Sequence, residues 1–164
     1  MELITLKANP FPKDQISKKL EEHNILINGY AEEFFAHPTF LTEHTREMTI
    51  AIASLREIGL ENGAMLDEIF QQIEKISFKP CPTNVGIFLR FAWKNQPQSQ
   101  NSILSGTHHS PDRAVMVLSK IVEKDDAFPK GLYLRNVDGN LWLRGYVCDS
   151  TYRFSGNDLF AFEK

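Results

Sequence analysis

The chain has 164 residues, 42% of them hydrophobic and 24% charged, the balance of an ordinary globular protein. A domain of this size buries roughly 70% of its unfolded surface, so it folds without a disulfide or metal staple. A net charge of −3 and a pI near 6.0 argue against strong nonspecific nucleic-acid binding, and no apolar run is long enough to span a bilayer.

In chain order, MELITLKANPFP lacks a basic region or long apolar stretch, so no signal peptide is expected. After Pro10 and Pro12, Asp14 is placed to cap a helix through about Glu22, with Ile16 and Leu20 one turn apart. Apolar spacing continues through Ile27, Tyr30 and Phe34, which permits one long helix. Asn24, Asn28 and Gly29 favour a break, with Asn28 capping a second helix that stops before Pro38. Residues 1–40 thus read as a helical N-terminal segment of a single domain spanning 1–164.

Residues 48–53 (MTIAIA) alternate and predict a strand, although Met48, Ile52, Leu55 and Gly59 also fit a helix closed by glycine. Asn62-Gly63 opens an amphipathic helix whose Leu66, Ile69, Ile73 and Ile76 recur at helical spacing. In Lys79-Pro80-Cys81-Pro82 the second proline makes Cys81 extended and can itself be the first helical residue. Val85, Phe88, Leu89 and Ala92 continue that helical period. After the loop NQPQSQN, strands are expected over 102–107, 114–121, 131–137, 140–147 and 159–162. Helices first and strands last give an α+β fold, with N-terminal helices packed on a C-terminal antiparallel β-meander.

The strongest local signal is Asp138-Gly139 between two alternating runs, the mark of a β-hairpin. A two-residue turn pairs Val137 with Asn140, Asn136 with Leu141, Arg135 with Trp142, Leu134 with Leu143 and Tyr133 with Arg144. One face then carries Leu132, Leu134, Leu141 and Leu143. The other carries Tyr133, Arg135, Trp142, Arg144 and Tyr146, a lattice of rings and guanidinium groups. A type I turn with a bulge would instead pair Leu134 with Trp142 and mix the faces; only the two-residue turn segregates them.

The stretch Cys81-Pro82-x-x-x-Gly86-x-x-Leu89-Arg90, the hairpin Asp138-Gly139-x-Leu141-Trp142-Leu143 and the aromatic closing strand resemble a group of small bacterial proteins of unassigned function. The likeness covers about residues 28–162, with 107–113 as an elaboration. It implies a bacterial cytoplasmic domain and carries no mechanism.

Three sets of residues could carry chemistry. Cys81, placed at a helix start, would have its thiolate favoured by free N–H groups and the helix dipole, with His108 or His109 as the base of a hydrolase or transferase. The structural alternative is a small buried residue, since free cysteine is among the most buried types. His108 and His109 could share an ion only from a loop, because adjacent strand residues face opposite ways. His23, His37 and His44 add no i,i+4 pair, and no metal or cofactor is expected. Asp149 and Asp158 read as turn formers.

The Arg/aromatic lattice is the third set. Read structurally, it is a cation–π ladder that stabilises the sheet. Read functionally, it is a non-catalytic interaction surface for a protein partner, or a stacking platform for single-stranded nucleic acid. Charge is uneven: residues 1–78 carry −6 and residues 79–164 carry +3. Two widely spaced cysteines fit a reducing compartment, so a cytoplasmic location is expected.

Overall fold

The computed structural model describes residues 1–7, 9–43, 46–103 and 109–164. In chain order the elements are β1 (Glu2–Leu6), α1 (Ile16–Glu22), β2 (Ile25–Ile27), α2 (Gly29–Ala36), β3 (Met48–Ser54), β4 (Ala64–Met65), α3 (Leu66–Lys75) and α4 (Val85–Ala92). They continue with β5 (Val115–Val117), β6 (Gly131–Val137), β7 (Asn140–Tyr146), β8 (Arg153–Phe154) and β9 (Leu159–Glu163).

Seven strands from both halves of the chain form one sheet in the order β1-β3-β9-β5-β6-β7-β2, and β4 pairs with β8 beside it. The expected N-terminal helices on a C-terminal antiparallel meander are therefore replaced by a mixed sheet. Two of its pairings are parallel, β2 with β7 and β5 with β9. The alternating ELITL run pairs antiparallel with β3, and β3 pairs antiparallel with β9. The segment expected to be helical over 1–40 thus contributes a strand to each edge of the sheet. Among the described residues only β5-β6-β7 runs as a meander.

Local chemistry explains the elements that match expectation. Asn28 caps α2, its Oδ1 accepting from the Ala31 N–H at 2.9 Å. Glu68 folds back to accept from the Met65 N–H at 2.8 Å and so opens α3. Of the strand expected over 102–107, residues 104–107 lie outside the described residues, and Ser102 and Ile103 are not in a strand. The strand expected over 114–121 contracts to β5.

Each sheet face is covered. Ile50, Ile52, Val115, Leu132, Leu134, Leu143 and Ala161 pack with α1, α2 and α4 in one apolar core. Ala53, Met116, Tyr133, Phe160 and Phe162 pack with Ile69 and Ile73 of α3 and with Phe154 in a second. The helices bearing the N-terminal apolar faces lie on the aliphatic side of the hairpin. The Arg/aromatic side is left to α3, the β4–β8 pair and loops. No helix among the described residues is long and apolar enough to cross a membrane.

Candidate functional site

The hairpin has the two-residue turn, with Asp138 at φ 51° and Gly139 at φ 79°, the positive pair of a type I′ turn. Its register follows: Arg135 faces Trp142, Tyr133 faces Arg144 and Gly131 faces Tyr146. Packing of α2 on the aliphatic face depends on Gly145. A Cβ there would lie 2.5 Å from the Tyr30 carbonyl carbon. Asn28 fixes that contact, donating to the Gly145 carbonyl at 3.1 Å and accepting from its N–H at 2.8 Å.

On the other face the lattice divides into two functions. Arg135 is fully buried, and its guanidinium donates to Ser99 Oγ (3.0 Å), the Asp112 carbonyl (3.0 Å), both oxygens of Asn101 and the Ile103 carbonyl. It is a clamp for the loops at 99–103 and 112. Arg90 in α4 backs it, donating to Gln96 Oε1 and the Trp93 carbonyl; burial pushes its guanidinium down to about 10, still protonated near neutrality.

Arg144 has a different setting. Its Nε donates to the Tyr133 hydroxyl at 2.7 Å, and its guanidinium carbon lies 5.0 Å from the Trp142 ring centroid and 6.0 Å from that of Tyr133. Trp142 is half-buried. From Tyr133 an aromatic chain runs to Tyr146 (centroids 6.5 Å), Phe154 (6.4 Å) and Phe160 (5.0 Å), which joins the lattice to the second core.

Arg144, Tyr133 and Tyr146 line a cleft of about 690 Å³ whose walls also include Met116, Phe154, Tyr152, His109 and Ser110. All four tyrosines of the chain, Tyr30, Tyr133, Tyr146 and Tyr152, line this cleft, whereas Phe154 alone of the twelve phenylalanines does. The cleft therefore concentrates rings that also carry a hydroxyl. The Tyr146 hydroxyl is buried and has no hydrogen-bond partner among the described residues. Burial holds its pKa well above the ordinary phenol value, as it does for Tyr152, so both remain O–H groups.

The cysteine–histidine reading meets a different geometry. Cys81 lies before the turn that precedes α4, not at its first residue, and bridges to Ser119 in parallel. It is buried in the aliphatic core, its thiol 3.6 Å from the Ala161 carbonyl, and burial pushes its pKa far up. His109 lines the tyrosine cleft and Cys81 does not; His108 lies outside the described residues. The cysteine that shares the cleft with His109 is Cys148, which sequence reasoning left without a role. Its thiol is pushed up to about 11 by burial, against the pull of Lys130. Asp158 accepts from the Ser155 N–H and from Ser110 Oγ, both at 2.9 Å, and Asp149 accepts from Thr151, so both form turns. Burial pushes the Asp158 carboxyl up. No group of three or more potential metal ligands occurs among the described residues.

A scan of protein-family models, a search of curated proteins and a search of solved structures each return no match to the chain.

Proposed function

We propose that the chain is a non-catalytic interaction or binding module that receives its partner in the tyrosine cleft beside Arg144. One observation carries the reading: every tyrosine of the chain converges on a single concavity that also holds a guanidinium stacked on Trp142. Five aromatic rings line the cleft together with Arg144 and the polar Asn28, His109, Ser110, Asp126 and Asp149, and Trp, Tyr and Arg dominate contact energies at interfaces. With Arg135 committed to its loops, contact is by insertion into the cleft and not by stacking across a flat sheet face. Both cysteines are favoured as neutral thiols, which supports binding over nucleophilic catalysis. Two free thiols suit a reducing compartment such as the bacterial cytoplasm.

The test combines a thermal-shift screen of small molecules with partner capture, comparing wild type with Trp142→Ala and Arg144→Ala. Ligands or partners that engage wild type and are lost in both variants are expected. Retention of every ligand and partner by both variants would overturn the proposal.

A further inference from the structure

The two edges of the seven-stranded sheet are finished differently. β2 is three residues long and lies between α1 and α2, a blunted edge that offers little backbone to another strand. β1 is five residues long and pairs with β3 without a bulge; it holds no proline, and its one charge is Glu2 at its start. Bonding on the far side of β3 shows which way β1 presents its backbone. The Lys164 N–H donates to the Thr49 carbonyl at 2.9 Å and the Leu55 N–H to the Asp158 carbonyl at 3.1 Å, so the odd-numbered residues here bond toward β9. Ile50 and Ile52 therefore bond toward β1, to Ile4 and Glu2, and the N–H and C=O groups of Leu3 and Thr5 point away from the sheet. None of these four groups bonds another described residue. The Leu3 side chain is 50% exposed beside them.

We infer that β1 pairs with β1 of a second copy of this chain, antiparallel about a two-fold axis at Ile4, so that two sheets become one. The outward groups are self-complementary. Leu3 and Thr5 are each one residue from Ile4, so the alignment that sets Leu3 opposite the partner's Thr5 also sets Thr5 opposite the partner's Leu3. Each pair then exchanges both of its N–H···O=C bonds. Side chains agree: the two Leu3 side chains become diagonal neighbours on one face, and the two Ile4 side chains meet across the axis on the other. Charge agrees as well. The antiparallel order keeps the two Lys7 side chains apart and brings each, held only by a 3.8 Å contact to Glu47, to the end where the partner carries Glu2. Pairing uses up the long edge of both copies and leaves the short β2 edges, so the assembly closes at two. Five paired residues make a small interface, so association depends on concentration. It is separate from the tyrosine cleft, none of whose lining residues lies in β1.

Sedimentation velocity of the full chain over a hundredfold concentration range, with amide hydrogen exchange at both ends of that range, tests this. The mass is expected to rise from 18.8 kDa to twice that value. Exchange at the Leu3 and Thr5 amides slows at least threefold at the high concentration, whereas the Ile4 and Leu6 amides, already bonded to β3, do not change. Thr5→Pro removes an outward donor and spares the β1–β3 ladder, and Leu3→Lys sets an ammonium at the pairing edge. Each is expected to weaken dimerisation at least tenfold. A monomer throughout the range overturns the inference. So does a dimer that keeps its affinity in Leu3→Lys and leaves the Leu3 and Thr5 amides unprotected, because it uses another surface. Growth beyond two copies overturns the two-fold arrangement. If Thr5→Pro fails to fold, Leu3→Lys and the exchange of the wild-type amides decide the matter.

Discussion

Arg144 donates from its Nε to the hydroxyl of Tyr133 at 2.7 Å, directly across the β6–β7 pair, and both residues are nearly sealed from solvent. The bond fixes the guanidinium over the Trp142 ring and so sets the position of a charge that lines the cleft. Tyr133→Phe keeps the ring and removes this acceptor from the Arg144 Nε–H. We expect a loss of about 1–3 kcal/mol in urea unfolding. In a double-mutant cycle, Arg144→Met is expected to cost less in the Tyr133→Phe background than alone. Additive losses would show that the bond contributes nothing.

Asn28 joins α2 to β7 through three hydrogen bonds from one side chain. Asn28→Ala removes an N-cap, costing about 0.5–2 kcal/mol, and strips the Gly145 N–H and carbonyl of their partners, costing about 1–3 kcal/mol more. The melting temperature is expected to drop by roughly 3–20 °C, since 1 kcal/mol corresponds to about 2–4 °C at this size. Asn28→Asp keeps the cap acceptor but sets a carboxylate against the Gly145 carbonyl, so it falls between wild type and alanine. An aspartate variant less stable than the alanine variant would refute this division of roles.

Arg135 makes a prediction about mobility more than about overall stability. Without it, the Asn101, Ile103 and Asp112 carbonyls lose their shared donor. Hydrogen exchange in Arg135→Met is expected to speed up by at least tenfold in the segments around 99–103 and 112–113, with β3 and β9 unchanged. Arg135→Lys does not rescue it, because an ammonium cannot reach four groups spread around a planar fork. Uniform acceleration across the sheet would show that Arg135 supports the core and not the loops.

These three residues mark what was legible in the sequence. The Asp138-Gly139 turn and strict alternation sufficed for the register of β6 and β7, and Asn28 announced its helix through its side-chain chemistry. Both signals are local. The pairing of β3 with β1 and β9, and the two parallel contacts, join strands separated by long connections, and no turn residue encodes them. Ile25–Ile27 is three apolar residues, too short to separate a strand from a continuing helix by period. The hairpin pattern placed Arg135 and Arg144 on one face but not the loops that bury the first and frame a cleft around the second. Tyr30 and Tyr152 join the site from α2 and a loop, so no spacing in the sequence linked them to Tyr133 and Tyr146.

The thiols give the pH dependence a definite sign. Folding raises the pKa of Cys148 to about 11 and that of Cys81 further, in both cases mainly by burial. The unfolded chain ionises these thiols near 8.5–9, so the folded state binds more protons above that pH. Their stabilising contribution is whole below about pH 8.5 and is lost as pH rises through the folded values. The urea midpoint is expected to fall progressively between pH 9 and 11, and less steeply in Cys148→Ala. Labelling of the native protein by a thiol-reactive disulfide is expected to be slow at pH 7.5 and to rise toward pH 11, with most of that rise absent from Cys148→Ala. Rapid native labelling at neutral pH would mean that a thiolate is present in the cleft, and would make Cys148, which shares the cleft with His109, a candidate nucleophile.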